Sequence, residues 1–486
     1  MDYGRILKEY YQGKPKEECG VIGIFKNDSG LSKYLYYGLY TLQHRGEESA
    51  GIAVSDGVRT DYHKAMGLVP EVFSEEILSR MKGNVGIGHV RYSTTGESYA
   101  GNSQPLVVRY RGGSIALAHN GNLVNTEKIR NRLEDDGVVF QTSIDTEVIV
   151  NLLARYSNEG TINSITRTLD LVKGAYALVI MKENELIGVR DPLGLRPLSL
   201  GKFPDGGYVL SSESCAFDVM DAELVREVEP GEIIHITKDG LKSIQYKKLE
   251  KRASCIFEYI YFARPDSVMD GVSVYDARRN AGRILAKEHP VEADLVAPVP
   301  DSSIPSAIGY AEVSGIPYGD ALMKNKYIGR TFIQPEQSLR EIAVKLKLIP
   351  FRENIKGKRI VLIDDSIVRG TTSRRIIHSL KKAGAKEVHM RISSPPVVGS
   401  CYFGIDTPHR KSLIAATQNV EEIRKTIGAD TLGFISIDGL TESIGTDKDR
   451  FCLACFNQDY PMNVDAEHEK NGNGSPTTFN RLGGGY

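Results

Sequence analysis

The chain has 486 residues, of which 41% are hydrophobic and 25% charged, and its formal net charge at pH 7 is −1. A chain of this length is expected to form two or three domains, each large enough to bury its own core. Its 61 basic and 62 acidic residues nearly cancel, which excludes a bulk electrostatic attraction to nucleic acid or to an anionic membrane.

The chain opens with a polar stretch, MDYGRILKEYYQGKPKEE, over residues 1–18, and Cys19 follows it at the start of CGVIGIF. This stretch has no apolar core of signal-peptide length, and no apolar run in the chain approaches the ~20 residues that span a bilayer. Six cysteines in so long a chain do not indicate a secreted disulfide framework. We therefore expect a cytoplasmic protein whose cysteines are structural, catalytic or metal-binding.

The first half of the chain combines short apolar stretches with Gly-rich turns and a few helical patterns. CGVIGIF, GIGHVRYST and AYALVIM are predicted strands, and Leu35, Leu39 and Leu42 share one face of a predicted helix. The stretch SIDTEVIVNLLARY predicts another helix that begins near Ser143 or Asp145. Mixed elements of this kind indicate an α+β layered domain.

The pattern changes after KKLEKRAS, where strands begin to alternate with longer helices. In the clearest unit, residues 358–364 form a predicted strand, residues 372–383 a helix ended by Gly384, and residues 388–392 the next strand. A β–α–β crossover joins parallel strands. The second half is therefore predicted to be an α/β domain with a parallel sheet.

These patterns divide the chain into four segments. The polar stretch over residues 1–18, which the resemblance given below implies is a leader, precedes a first domain over 19–251 and a second domain over 252–463. The remaining residues, 464–486, are polar and Gly-rich, and we expect them to be disordered.

The stretch VLIDDSIVRGTT, residues 361–372, carries two acids at the end of a predicted strand and then runs into a helix. Ligands of open parallel sheets bind at the carboxyl ends of the strands, and backbone N–H groups at a helix start suit a phosphate. Gly370 allows a close approach, whereas Asp364 and Asp365 suit sugar hydroxyls or a phosphate-bound Mg²⁺. The stretch predicts a site for a phosphorylated sugar; an ordinary turn with solvated acids is the alternative.

This stretch resembles the phosphoribosyl pyrophosphate (PRPP) motif of type I phosphoribosyltransferases. The resemblance implies that PRPP is bound by the residues of the loop itself: Asp364, Asp365, Ser366, Arg369, Gly370, Thr371 and Thr372. LVAPVPDSSIPSAIGYAEVSGIPY resembles that family's diphosphate and metal loop, which implies one Mg²⁺ per subunit held by Ser302, Asp364 and Asp365. The basic segment over residues 324–341 resembles the family's mobile loop, with a solvated basic surface as the alternative.

Five motifs of the first half, in chain order, are CGVIGIF, LQHRGEESAGI, GHVRYSTTG, AHNGNLVN and SIDTE. Together they resemble class II glutamine amidotransferases, whose N-terminal-nucleophile fold is a layered αββα domain. With the PRPP motif added, the chain from Cys19 to about Pro461 resembles the amidophosphoribosyltransferase family. This resemblance implies hydrolysis of glutamine and transfer of its ammonia to PRPP, giving 5-phosphoribosylamine, diphosphate and glutamate.

Cys19 is the candidate nucleophile. A cysteine thiol has a pKa of about 8.5 and is mostly protonated at neutral pH, whereas an α-amino group has a pKa of about 8 and can shuttle a proton. If Cys19 is the first residue of the mature chain, its own amine becomes the base for its thiol. Members of the family with a leader remove it by self-processing, which implies cleavage between Glu18 and Cys19.

The resemblance also assigns the glutamine-binding residues. Arg91 would hold the glutamine carboxylate, Asp145 its α-amino group, and Asn120 with Gly121 the oxyanion. Without the family, Asp145 is better explained as a helix N-cap. The nearby histidines are not expected to act as bases, because the amine fills that role: His44, His89 and His119. Arg45 and Gly46 are expected to be structural.

Cys452 and Cys455 form a C-x-x-C motif, which alone suggests zinc, a redox pair or no function. With two further cysteines, four thiolates could hold zinc or an iron–sulfur cluster, and spacing does not decide between them. The leader-bearing branch of the family carries one four-iron four-sulfur cluster per subunit, which ties its two halves together. The resemblance implies four ligands: Cys255, Cys401, Cys452 and Cys455. Cys215 is expected to be a buried core thiol.

The family further implies a homotetramer inhibited by purine nucleotides. From the balanced charge and the lack of a long apolar run, we expect no nucleic-acid or membrane partner. Two alternatives share parts of this pattern. One is another class II amidotransferase, for instance one that acts on a sugar phosphate, which would not need VLIDDSIVRGTT. The other is a PRPP-binding regulator with a relic glutaminase domain.

Overall fold

The computed structural model describes residues 19–28, 30–92, 98–324 and 348–464. The predicted leader lies outside this part of the chain, and so does the predicted tail, except for Val464. Of the predicted mobile loop over 324–341, only Lys324 is described. The leader, the mobile loop and the disordered tail therefore remain predictions.

The first half of the described chain is built from two antiparallel sheets. Its strands are β1 (Gly20–Phe25), β2 (Ser49–Ser55), β3 (Thr60–Met66), β4 (Val85–Arg91), β5 (Leu106–Tyr110), β6 (Gly113–Leu123), β7 (Gly174–Lys182), β8 (Glu185–Arg190), β9 (Ser199–Lys202), β10 (Tyr208–Ser211), β11 (Glu223–Glu227), β12 (Glu232–Thr237) and β13 (Gly240–Gln245). Its helices are α1 (Leu31–Thr41), α2 (Val69–Val72), α3 (Glu75–Arg80), α4 (Thr126–Asp135), α5 (Thr146–Arg155), α6 (Thr161–Leu171) and α7 (Cys215–Asp218).

The two sheets pack face to face between helices. One has the strand order β11-β9-β10-β1-β4-β2-β3 and the other β13-β12-β8-β7-β6-β5. Apolar side chains of both sheets, among them Val21, Ile87, Val179 and Leu186, fill the space between them. Helix α1 covers β1 and β4, and α5 covers β5 and β6. This arrangement confirms the predicted αββα layers, with AYALVIM as the buried strand β7.

The second half is an α/β domain. Its strands are β14 (Ser254–Cys255), β15 (Val268–Met269), β16 (Val272–Ser273), β17 (Leu295–Pro298), β18 (Leu322–Lys324), β19 (Leu348–Pro350), β20 (Arg359–Asp364), β21 (Glu387–Ile392), β22 (Thr431–Phe434) and β23 (Phe451–Cys452). Its helices are a π-helix (Glu258–Phe262), α8 (Val274–Glu288), α9 (Ile304–Ser314), α10 (Arg352–Ile355), α11 (Thr371–Lys382), α12 (Ile414–Thr417), α13 (Val420–Ile427), α14 (Ile437–Ile444) and α15 (Ala454–Asn457).

The central sheet of this domain is parallel, in the order β17-β20-β21-β22. The predicted β–α–β unit is confirmed within one residue at each boundary: β20 is Arg359–Asp364, α11 is Thr371–Lys382 and β21 is Glu387–Ile392. The carboxyl ends of β17 and β20 therefore lie side by side, and the loops that follow them meet at one edge of the sheet.

Within the described ranges, no helix is both long enough and apolar enough to cross a bilayer.

Candidate functional site

Cys19 lies directly before β1, where the neighbouring strand β4 ends. Its thiol is buried and donates a hydrogen bond to the carbonyl of Tyr92, with Sγ and O 3.4 Å apart. Burial raises the pKa of the Cys19 thiol to about 11, although the Tyr92 contact and the charge of Arg91 act in the opposite direction. Such a thiol is protonated at neutral pH and needs a base before it can attack an amide.

Arg91 ends β4 beside Cys19, as the pairing of β1 with β4 requires. Its Nη1 lies 2.9 Å from Oε1 of Glu48, which directly precedes β2. The charges of both side chains act on the Cys19 thiol. The structure thus places Arg91 at the nucleophile, as its predicted role requires, and adds Glu48, which the sequence analysis did not single out.

Asn120 and Gly121 lie on β6, in the opposite sheet. The side-chain nitrogen of Asn120 is buried and has no hydrogen-bond partner among the described residues. A buried donor without a partner is costly unless a ligand completes it. Gly121 has a φ of +141°, and a Cβ there would lie 2.1 Å from the carbonyl oxygen of Ala175. Only glycine fits this position, and the unpaired donor beside it suits an oxyanion.

Asp145 directly precedes α5 but makes no side-chain capping hydrogen bond. Instead its Oδ2 accepts a bond from the backbone N–H of Leu123 at 3.0 Å, and its Oδ1 lies 3.5 Å from Nδ1 of His119. Burial would raise the pKa of Asp145, but His119 and these hydrogen bonds hold it below its usual value. Asp145 thus occupies the N-cap position of α5 without capping the helix through its side chain, and its buried carboxylate can pair with an ammonium group.

The histidines near the site are held by other groups. Burial lowers the pKa of His89 to about 3, so its ring is neutral, and Nε2 lies 3.1 Å from the carbonyl oxygen of His119. His44 Nε2 lies 2.7 Å from Oε1 of Glu213. These contacts account for the positions of both rings, so neither histidine needs to be the base for Cys19. The role of the α-amine as that base remains a prediction.

Arg45 is fully buried and joins Cys19 to the second half of the chain. Its Nε donates to the Cys19 carbonyl at 3.2 Å, and its Nη2 donates to Oε1 of Glu258 in the π-helix at 2.6 Å. Nη1 also donates to Glu213 at 2.5 Å. Burial would raise the pKa of Glu213, but His44 and Arg45 hold it far below its usual value. This supports the predicted structural role of Arg45, as an anchor between the two halves.

The predicted phosphate loop follows β20. Asp364, Asp365 and Ser366 are all buried at the carboxyl edge of the parallel sheet. The two oxygens of Asp365 accept hydrogen bonds from separate hydroxyls, that of Ser302 at 2.5 Å and that of Ser366 at 2.6 Å. Ser302 belongs to the loop after β17, so the structure brings together the two predicted loops and the proposed Mg²⁺ ligands.

Gly370 ends this loop and stands at the N-cap of α11, with a φ of +73°. It has no side chain to occupy the first N–H groups of the helix, which begins at Thr371. Arg369, Thr371 and Thr372 are partly exposed beside it. The geometry therefore suits an anion at the helix N-terminus.

Each of the two loops has a cation beside it, Arg278 near Asp365 and Lys324 near Asp301. Burial lowers the pKa of Arg278 to about 10, and the charge of Asp365 partly offsets this effect. The Arg278 side chain donates to the carbonyls of Tyr259 and Ala263, at 2.7 and 2.8 Å, so it also holds the π-helix and the segment after it. Lys324 pairs with Asp301 of the Ser302 loop at 2.5 Å.

The four predicted cluster ligands come from three segments that meet beside the first domain. Cys255 and Cys452 are paired residues of the parallel strands β14 and β23. The carbonyl of Cys455 accepts bonds from the N–H groups of residues 398 and 399, close to Cys401. Burial raises the pKa of Cys255, and its neighbours Cys401 and Cys452 raise it further.

This donor set fits a four-thiolate centre. Among the described residues, no three His, Cys, Asp or Glu side chains are spaced to hold a single metal ion. A cluster, if bound, would take all four thiolates as ligands to an inorganic core rather than to one ion. Cys215 is buried away from this set, as predicted, with Sγ 3.7 Å from Oε2 of Glu213.

Known proteins resemble both halves of the chain. Residues 75–273 match the glutamine amidotransferase domain family and residues 273–393 the phosphoribosyl transferase domain family. The amidophosphoribosyltransferase of Archaeoglobus fulgidus is 53% identical over 92% of this chain and 99% of its own. That of Bacillus subtilis is 52% identical over 92% of this chain and 95% of its own.

Two solved structures are similar over nearly the whole chain. The B. subtilis glutamine PRPP amidotransferase complexed with ADP and GMP matches with a TM-score of 0.87 and 52% identity, over 92% of this chain and 98% of that one. The structure described as the allosteric regulatory enzyme of purine biosynthesis matches with a TM-score of 0.88 and 52% identity, over 92% and 97%.

Proposed function

The chain belongs to the amidophosphoribosyltransferase family, and from this premise we propose how its two halves divide the reaction. It is a glutamine-dependent phosphoribosyltransferase of purine biosynthesis, which makes 5-phosphoribosylamine, diphosphate and glutamate from glutamine and PRPP. Membership of this family is favoured over the two alternatives, namely an amidotransferase that acts on a sugar phosphate and a regulator with a relic glutaminase domain. The observation that carries the division of labour is the separation of Cys19 from the Asp365 loop, on different domains.

Glutamine is hydrolysed at Cys19. After removal of residues 1–18, the free α-amine takes the thiol proton, which the buried thiol otherwise keeps. Arg91 and Asp145 hold the carboxylate and amino groups of glutamine, while Asn120 and Gly121 stabilise the oxyanion as the thiolate attacks the amide carbon. Ammonia leaves, and water releases glutamate from the thioester.

PRPP is bound in the second domain, at the loop over residues 364–372. The N–H groups at the start of α11 hold its phosphate, and ammonia, delivered through an internal route, attacks the anomeric carbon and displaces diphosphate. Ser302, Asp364 and Asp365 would hold Mg²⁺, one per subunit, which supplies charge neutralisation for the departing diphosphate. The Ser302–Asp365 bond supports this assignment.

The function is tested by an assay of diphosphate release with PRPP and either glutamine or ammonia. We expect release with both nitrogen donors and glutamate formation only with glutamine. Release with neither donor, from folded protein purified without air, would contradict the proposal.

Cys255, Cys401, Cys452 and Cys455 would hold one four-iron four-sulfur cluster per subunit, as a structural tie between the halves. Cys452→Ser is expected to abolish the bound iron and sulfide, because a neutral serine hydroxyl is a poor replacement for a thiolate ligand. The measurement is iron and sulfide content, with the visible absorption spectrum, after purification without air.

Cys215→Ser is the matched control for this cysteine, and it should keep the full iron content of the wild type. Equal iron in the Cys452→Ser variant and the wild type, or zinc in place of iron, would contradict the cluster assignment.

The remaining proposals concern partners. The B. subtilis relative was solved with ADP and GMP, which supports inhibition of this chain by purine nucleotides. We further propose a homotetramer that acts in the cytoplasm and binds neither nucleic acid nor membranes.

A further inference from the structure

A segment of the second half, residues 401–404, runs along the predicted oxyanion residues of the first half. Asn122, two residues after Asn120 on β6, donates through Nδ2 to the carbonyl oxygen of Tyr402 at 2.9 Å. The Asn122 side chain is buried, at 7% exposed. A buried side chain of one domain thus donates to a partly buried backbone carbonyl of the other.

Gly404 brings the two backbones into contact. Its φ is +113°, and a Cβ at this position would lie 3.1 Å from the carbonyl carbon of Gly121. Gly121 also lies against Ala175 of β7, where a Cβ on Gly121 would meet the carbonyl oxygen at 2.1 Å. The backbone of Gly121 is therefore held between β7 and Gly404.

A buried cation, Arg196, also holds the segment over residues 401–404. Nε of Arg196 donates to the carbonyl of Phe403 at 3.0 Å, and the N–H of Phe403 donates to Sγ of Cys401 at 3.3 Å. A Cβ on residue 404 would also lie 2.8 Å from Nη2 of Arg196. The segment consequently has little freedom to move away from Gly121.

We propose that Asn122 and Gly404 are positioning residues for glutamine hydrolysis, through which the second domain sets the place of the oxyanion donors. Neither residue touches the substrate; both act through the backbone of Gly121. This inference rests on the proposed function, in which Gly121 and Asn120 receive the oxyanion. It makes the glutaminase site a product of both domains.

Asn122→Ala removes the bond to Tyr402 while leaving every predicted substrate contact in place. Oxyanion donors act on the transition state more than on bound glutamine, so we expect kcat with glutamine to fall about 10- to 100-fold with KM for glutamine unchanged. Synthesis with ammonia should be unchanged. The control is Asn125→Ala, which removes two exposed bonds within the first domain, one to the Leu171 carbonyl and one from the Lys173 N–H.

Gly404→Ala tests the contact from the other domain. We expect the same loss of kcat with glutamine, because the added methyl group presses on Gly121 and Arg196. Its control is Gly240→Ala: Gly240 has a φ of +112° but no atom within 4 Å of a built Cβ, so it reproduces the backbone strain alone. A second readout is the rate at which a diazoketone analogue of glutamine alkylates Cys19, followed by mass spectrometry.

Slower alkylation and lower kcat in both variants, with unchanged ammonia-dependent synthesis, would support the proposal. Wild-type kinetics in both variants would overturn it, and so would an equal loss of the glutamine- and ammonia-dependent activities, which indicates a general structural defect. A wild-type chain that makes no diphosphate with glutamine would instead contradict the proposed function itself.

Discussion

Cys19→Ala is expected to abolish synthesis from glutamine, by at least roughly 10⁴-fold, while synthesis from ammonia survives. The Cys19 sulfur is the atom proposed to form a covalent bond with glutamine, and its loss removes both the nucleophile and the thioester. The PRPP loop lies on another domain and keeps its buried contacts, among them the Ser302–Asp365 bond at 2.5 Å. The measurement is diphosphate release with each nitrogen donor.

Cys215→Ala is the matched control for this variant. Cys215 is also a buried cysteine of the first domain, yet it lies beside Glu213 rather than beside Arg91. It should retain both activities. Loss of both activities in Cys19→Ala, or of neither, would contradict the division of labour between the domains.

Asp365→Asn is expected to reduce synthesis from glutamine and from ammonia alike, by about 10²- to 10³-fold. The side chain is fully buried, and its two oxygens accept the hydroxyls of Ser302 and Ser366. The amide has one acceptor where the carboxylate has two, and it removes the negative charge that faces Arg278 and the proposed Mg²⁺. Steady-state rates with both donors, at several Mg²⁺ concentrations, measure the loss.

The control for this change is Asp294→Asn. Asp294 precedes β17 at the opposite edge of the same sheet and pairs with Arg359 at 2.9 Å, in contact with solvent. Exposed pairs of this kind contribute about 0–1 kcal/mol, so activity should stay near that of the wild type. Normal ammonia-dependent synthesis by the Asp365→Asn variant would contradict the assignment of Asp365 to the PRPP site.

The local patterns of the sequence predicted most of the architecture. The boundaries of β20, α11 and β21 were right within one residue, because an apolar run, a glycine and an amphipathic stretch mark them directly. The motifs also located the residues that the structure brings together around Cys19 and around Asp365. Ser302 and Asp365 are 63 positions apart, and only the resemblance to a family linked them.

The pairing of buried charges could not be read from the sequence. Glu258 lies 213 positions from Arg45. The sequence around Glu258 does not distinguish this residue from a solvent-exposed glutamate. Glu48 likewise looked like part of a polar turn until β2 and β4 placed it against Arg91. Asp145 was the reverse case, since its place before a helix indicated a cap that its side chain does not make.

The contact between Gly404 and Gly121 could not be predicted from the sequence either. Glycines are frequent in this chain, 48 of 486 residues, so a single one carries little information. Only the packed domains reveal that both backbones approach each other at a point where a Cβ would not fit.

We propose that Cys19 works as the first residue of the mature enzyme, and intact-mass spectrometry tests this role most directly. The active protein, purified without air, would be measured before and after reaction with the diazoketone analogue of glutamine. We predict a chain that begins at Cys19 and gains one analogue, on that residue. A fully active chain that still begins at Met1, or labelling at any other residue, would contradict it.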